Sequence, residues 1–456
     1  MKNTKRSSQN ASMLMRWITD KDTMCYTHVD AGTSIKQDQL WESIVAAAEL
    51  LHPKTKVLLY ASNGFAWISF FVASLITGKE LFALDHNASH KTVNAIIKEH
   101  NIEAVICEDE QSMLPCDQIS ISLLKERAGH TGYAIEQSLC DGSLVLFTTG
   151  TTGIPKGVMM PLSKIIKCTM AIQELYQIDK NEAMLIITPF SHSMGMILLL
   201  LSIAFSNELV MVNRLEYLNE ALGKQVSIAA FPPVVLKSII QYEHMRERLR
   251  ELRFVICGGA GMSVADYRTL YAEKIKIYNG YGMTECVAAI AVTNAGTYDG
   301  TDLLTPLSCC AIKLSPDNEI IVKGETVNTS YLDGKPIIGS DGWYHTHDIG
   351  EYVDGRIRVS YRMDAVKVLS NGFKVNLTKI ENVICQISEV QDAQVYINSA
   401  HERLEASVVL RPGYTQVDVL GLCKKINDEL EYYEQIQHLS ICETLKTVRG
   451  KKTYGR

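Results

Sequence analysis

Ser143-Leu144-Val145-Leu146-Phe147 runs into Thr148-Thr149-Gly150-Thr151-Thr152-Gly153-Ile154-Pro155-Lys156-Gly157. The first five residues are a continuous apolar run of strand length, the pattern of a strand buried on both faces. Beyond the loop, Leu162, Ile165, Ile166, Thr169, Ile172 and Tyr176 recur at helical spacing, so a helix follows. Glycines let backbone N–H groups approach an anion closely, and successive N–H groups form an anion-binding nest. Thr148, Thr149, Thr151 and Thr152 add hydroxyl donors, and Lys156 adds a point charge. A Walker loop ends in Gly-Lys-Ser/Thr, whereas this one ends Pro155-Lys156-Gly157, so it is a phosphate loop of another design.

The neighbouring chain has the same texture. Short apolar, β-branched runs at 57–60, 81–84, 104–107, 185–188, 209–212, 228–231, 254–257 and 276–278 alternate with helix-length segments. Repeated strand–helix–strand order predicts an α/β fold with large, mostly parallel layers. After about residue 360 the segments become shorter and more polar, with strands expected at 394–397 and 406–411 and a helix over 417–431. This reads as a smaller α+β domain, with the boundary between 350 and 370.

With 456 residues, the chain exceeds the usual span of one hydrophobic core, so two domains are the default. The net charge of −6 gives no broad attraction to nucleic acid or to anionic membranes. The longest apolar stretch, 194–205, is 12 residues, short of the roughly 20 needed to span a bilayer, so it is expected in the core. The polar start to Ser12 carries no signal-peptide core. Twelve cysteines without a C-x-x-C pair read as reduced thiols of a cytoplasmic protein.

Further motifs follow the phosphate loop in order. They are Pro189-Phe190-Ser191-His192-Ser193-Met194-Gly195, Leu252-Arg253-Phe254-Val255-Ile256-Cys257-Gly258-Gly259-Ala260-Gly261 and Tyr278-Asn279-Gly280-Tyr281-Gly282-Met283-Thr284-Glu285. Then come Gly342-Trp343-Tyr344-His345-Thr346-His347-Asp348, Tyr361-Arg362-Met363-Asp364 and Leu445-Lys446-Thr447-Val448-Arg449-Gly450-Lys451. With Thr148 to Gly157, this series resembles the adenylate-forming enzymes: acyl-CoA synthetases, aryl-acid ligases, peptide-synthetase adenylation domains and firefly luciferase. Three positions depart from the family pattern. His347 and Tyr361 stand where the family ordinarily has Gly, and Leu445 where it has Pro.

The resemblance implies a large ATP- and acyl-binding domain, 1–363, and a small mobile domain, 364–456, joined by a hinge at Asp364. It implies that Thr148, Thr149, Gly150, Thr151, Thr152, Gly153 and Lys156 hold the ATP phosphates. Gly259, Ala260, Asn279, Gly280, Tyr281, Gly282 and Met283 would surround adenine and the acyl group, with Asp348 and Arg362 at the ribose. Glu285 and Thr149 would hold Mg²⁺, the hard-oxygen cation that keeps waters and phosphates in its shell. Thr284, His192 and Lys451 complete the catalytic set, with Lys451 bridging carboxylate and α-phosphate. The implied reaction makes an acyl-adenylate from ATP and a carboxylic acid, then transfers the acyl group to coenzyme A or to a carrier protein's phosphopantetheine. Peptide-synthetase domains place an Asp near 190–193 for an α-ammonium group. Here stand Ser191, His192 and Ser193, which favours an aryl or aliphatic acid. A non-catalytic nucleotide-binding protein and a luciferase-like oxygenase are the alternatives.

Overall fold

Residues 228–231 show how the core is built. Ile228 and Ala230 pack into one hydrophobic cluster, while Ala229 and Phe231 pack into another on the opposite face. The same alternation divides Val57 and Leu59 from Leu58 and Tyr60. Strands of a parallel sheet are covered on both faces, which is why they read as unbroken apolar runs. The computed structural model describes residues 8–20, 24–108, 114–129, 132–148, 156–259, 261–262, 264–363, 366–368, 374–398, 403–411, 413–414, 417–445, 447–448 and 451–452.

One sheet has nine strands, with a parallel centre formed by Ile277–Tyr281, Phe254–Gly258, Ile228–Phe231, Ala183–Ile186, Glu208–Met211 and Cys25–His28. A second has six, including Ala104–Cys107, Lys56–Tyr60, Glu80–Ala83 and Ser143–Thr148 in parallel. Helices Phe65–Ile76 and Ser193–Phe205 belong to the cluster that contains residues of both sheets. They are apolar nearly all round, the composition of a helix covered on every side. The apolar stretch 194–205 is thus a core helix, as expected. Among the described residues no helix is long and apolar enough to cross a membrane.

The phosphate loop departs from the expected strand–loop–helix order. Ser143–Thr148 pairs antiparallel with a further strand, Lys156–Pro161, and Thr148 stands opposite Lys156. The helix Leu162–Tyr176 starts only after Pro161. The loop therefore joins a hairpin, and the second strand gives no strand pattern in the sequence because Lys156, Gly157 and Pro161 leave only Val158, Met159 and Met160 as an apolar run.

A four-stranded antiparallel sheet, Cys310–Leu314, Glu319–Gly324, Tyr344–Val353 and Arg356–Arg362, follows. Beyond it, Val390–Asn398, Arg403–Leu410 and His438–Ile441 form a three-stranded sheet. Helices Leu377–Ile384 and Val419–Asn427 pack there in a core whose buried residues all fall between Val375 and Leu439. The helix expected over 417–431 starts at the Asp418 cap, whose side chain accepts from the Leu420 N–H at 3.1 Å. It ends at Asn427 because that amide turns to the chain ahead: its Oδ1 accepts from the Ile436 N–H at 2.8 Å and its Nδ2 donates to the Ile436 carbonyl at 2.9 Å.

Candidate active site

The segment 279–288 organises the site. Tyr281 ends a parallel strand, and its Oη donates to Asp348 Oδ2 at 2.8 Å. Arg362, opposite Asp348 in the antiparallel ladder, places Nη1 3.2 Å from Asp348 Oδ1. Asp348 is buried, and burial together with this carboxylate pushes the Tyr281 phenol well above its ordinary range. A carboxylate offers about four acceptor positions, so Asp348 has the capacity to take ribose hydroxyls beside these partners.

The turn after Tyr281 is tightly determined. A Cβ on Gly282 would lie 2.0 Å from the Ala288 carbonyl oxygen, so only glycine fits. Thr284–Cys286 is one 3₁₀ turn. Val287 follows at φ 71°, ψ −62°, and the Ala288 N–H donates to the Cys286 carbonyl at 2.9 Å. This is a γ-turn with a β-branched residue at positive φ, a strained form that persists only where its surroundings impose it.

Those surroundings hold Glu285. Its carbonyl accepts from the Asn328 N–H at 2.9 Å and from Asn328 Nδ2 at 3.1 Å. Its Oε1 accepts from Tyr331 Oη at 2.9 Å. Lys156 Nζ lies 5.0 Å from the Tyr331 ring centroid, within cation–π range. The Leu332 N–H closes the arrangement by donating to the Gly157 carbonyl at 2.9 Å. One tyrosine thus contacts the carboxylate expected to hold Mg²⁺ and the lysine expected at the phosphates. Its own phenol is pushed up, first by burial and then by Glu285.

Behind Gly280 and Gly282 lies a narrow, largely apolar cavity of about 70 Å³. Its walls include Ile172 and Tyr176 from one helix, Ile197, Leu198 and Leu201 from another, and the glycine backbone of Gly258 and Gly259. Gly259 is at φ 84°, a conformation that favours glycine. Ser193 and Met194 line the cavity. The neighbouring His192 ring is paired with Asp85, Nε2 to Oδ2 at 3.3 Å. This bond holds the Asp85 carboxyl below its usual range.

His347 stands in the left-handed region at φ 59°, which gives the physical reason for a glycine preference there. Histidine is among the side chains that enter that region most readily. Glu319 secures the exception: its Oε1 accepts from the His347 N–H at 2.9 Å and its Oε2 meets His345 Nδ1 at 2.8 Å. Tyr361, by contrast, pairs with Ile349 beside a register shift in the ladder but is not at positive φ, so its backbone does not require glycine. Residues 149–155, Ala260 and the Asp364 hinge lie outside the described residues, as does the side chain of Lys451, whose backbone forms the short strand Lys451–Lys452.

The sequence reading missed Tyr331, Asn328, Asp85 and Glu319, each of which contacts a predicted residue. They fall in no motif, and their partners are remote in sequence. None of the twelve cysteines is in a disulfide.

Residues 20–332 match the AMP-binding enzyme model. The chain belongs to the AMP-binding enzyme family. Among curated relatives, a 3-[(3aS,4S,7aS)-7a-methyl-1,5-dioxo-octahydro-1H-inden-4-yl]propanoyl:CoA ligase of Rhodococcus jostii is 30% identical over 308 residues, covering 62% of this chain and 59% of that protein. The D-alanine–D-alanyl carrier protein ligase of Lactococcus lactis is 26% identical over 382 residues, 74% of each. The fold is that of ATP-bound MatB from Rhodopseudomonas palustris, with a TM-score of 0.85 at 16% identity over 98% of this chain and 97% of that one.

Proposed function

We propose that the protein is an AMP-forming acid–thiol ligase. It joins a carboxylic acid to ATP as an acyl-adenylate with release of pyrophosphate, then passes the acyl group to a thiol. The carrying observation is that the 279–288 segment has a polar cluster on each side and an apolar cavity behind it. Tyr281, Asp348 and Arg362 form one cluster, and Glu285, Tyr331 and Lys156 the other. A nucleotide lying along the segment would put its α-phosphate at the mouth of the cavity.

A carboxylate is a poor acyl donor because its leaving group would be oxide. Its attack on the α-phosphorus expels pyrophosphate and gives a mixed anhydride from which the thiol displaces AMP, and the catalyst mainly positions the reactants and neutralises charge. Tyr281 offers a flat face to adenine, Asp348 accepts from the ribose hydroxyls, and Arg362 neutralises Asp348. Thr148 and Lys156, with residues 149–155, contact the β- and γ-phosphates, and Thr284 meets a phosphate oxygen. Glu285, one buried carboxylate with Tyr331 on a single oxygen, suits Mg²⁺, which takes one or two protein carboxylates and completes its shell with phosphate and water. Bound there, Mg²⁺ would neutralise charge on the departing pyrophosphate. Lys451 acts in adenylation, and rotation of the 364–456 domain about Asp364 removes it before the thiol attacks.

The test is acid-dependent ATP–pyrophosphate exchange over aryl, short-chain, medium-chain and amino acids, followed by product analysis with coenzyme A and with a phosphopantetheinyl carrier. Lys451→Ala should abolish exchange but retain thioester formation from supplied acyl-adenylate. Equal loss of both steps refutes the role given to Lys451, and no exchange with any acid overturns the ligase reading.

A further inference from the structure

Tyr176, Ser193 and Cys257 are the polar side chains lining the acyl cavity, and of the two hydroxyls only that of Tyr176 belongs to a buried residue. Tyr176 is 2% exposed and ends the helix Leu162–Tyr176, packed against the stacked rings of Phe254 and Tyr278. Its hydroxyl has a backbone acceptor, the Asn279 carbonyl, but at 3.4 Å. That is well beyond the 2.5–3.0 Å of a good O–H···O bond, so a buried donor is left poorly satisfied. Burial also pushes its phenol up, so it acts as a neutral donor. The absent side chain of Gly280 leaves a methyl-sized gap before it: a Cβ there would be in ordinary contact with this oxygen at 3.7 Å and with Val292 at 4.0 Å.

Apart from Ser193 and Cys257, the rest of the wall is apolar. From Ser193 to Leu201 the lining helix advances about 12 Å at 1.5 Å per residue, a wall as long as an extended medium-length acyl body. No lysine, arginine or histidine is among the described residues lining the cavity, so a second carboxylate would be buried without a counter-charge.

Resting on the adenylation reading, we propose that the preferred acid is a monocarboxylate with an apolar body of medium length and a distal carbonyl oxygen that accepts from Tyr176 Oη. The carbonyl would replace the long bond to Asn279 by a shorter one. A site built around such a donor disfavours the analogue that lacks the acceptor. Tyr176 is then a specificity residue.

The experiment compares octanoic, 7-oxooctanoic and octanedioic acids by calorimetric binding in the presence of AMP and, separately, by pyrophosphate exchange, in the wild type and in Tyr176→Phe. The wild type should favour the oxo acid over octanoic acid about fivefold, the worth of one neutral hydrogen bond, and should bind the diacid worst. Tyr176→Phe should bring the oxo/alkyl ratio to about one, and because a ratio is read, a general loss of affinity cancels. Equal wild-type affinities for the oxo and alkyl acids, a ratio unchanged by Tyr176→Phe, or binding of none of the three would each overturn the proposal. The predicted binding ratio without exchange for any acid would leave the Tyr176 inference standing and sink the ligase reading instead.

Discussion

Tyr331→Phe separates two contacts made by one side chain. The variant deletes the 2.9 Å hydrogen bond to Glu285 Oε1 but keeps the ring beneath Lys156. A hydrogen bond to a charged group contributes about 1.5–3 kcal/mol. Tyr331 is only partly buried, so the lower end, about 1.5 kcal/mol, applies. At 1.36 kcal/mol per decade, that is roughly tenfold in the preference for the carboxylate orientation presented to Mg²⁺. The assay is pyrophosphate exchange against Mg²⁺ concentration at saturating ATP and acid. The half-saturating Mg²⁺ concentration should rise roughly tenfold, with a smaller loss at saturating Mg²⁺, because excess cation selects the competent carboxylate by mass action. Little stability should be lost, since the phenyl ring still fills its place. A Mg²⁺ dependence unchanged within about twofold, in a variant with native melting behaviour, would refute the assignment of Tyr331 as the residue that positions Glu285. A loss equal at every Mg²⁺ concentration would place its effect elsewhere.

Two further predictions concern the antiparallel sheet. Glu319, with help from Asp341, raises the His345 pKa above its ordinary 6.5, so its stabilisation is fully present below that value and is lost as pH rises through the raised one. The melting temperature of His345→Gln should therefore fall furthest below the wild type under mildly acidic conditions and converge with it in alkali, and a gap independent of pH would show that the pair carries no charge. At His347, held at φ 59°, the Val variant should be less stable than the Gly variant by about 1–2 kcal/mol, measured by denaturant unfolding. Equal stabilities would mean that the backbone leaves the left-handed region once the histidine is gone.

Much of the fold was legible in the sequence because parallel strands covered on both faces leave unbroken apolar runs. Ala104–Cys107 and Ile228–Phe231 have the bounds read from the sequence, and most other runs shift by one or two residues. Where polar or turn-forming residues interrupt the apolar run, it fails. Lys156–Pro161 was invisible as a strand until its ladder to Ser143–Thr148 was present, and the last helix stops at Asn427 because Asn427 bonds to Ile436. The candidate site divides in the same way. Residues such as Tyr281, Glu285, Asp348 and Arg362 lie in compact motifs and could be named from sequence order.

The sequence by itself determined the layered α/β architecture, the family and the set of polar residues offered to a nucleotide. Local periodicity and short motifs are encoded by neighbours along the chain. Only the tertiary structure decided that Tyr331 joins Glu285 to Lys156, that Asp85 pairs with His192, that Glu319 steadies His347, and that Tyr176 presents a hydroxyl to the cavity. Those contacts link residues tens to more than a hundred positions apart, and a partner at that separation is chosen by packing, for which one sequence carries no periodic signal.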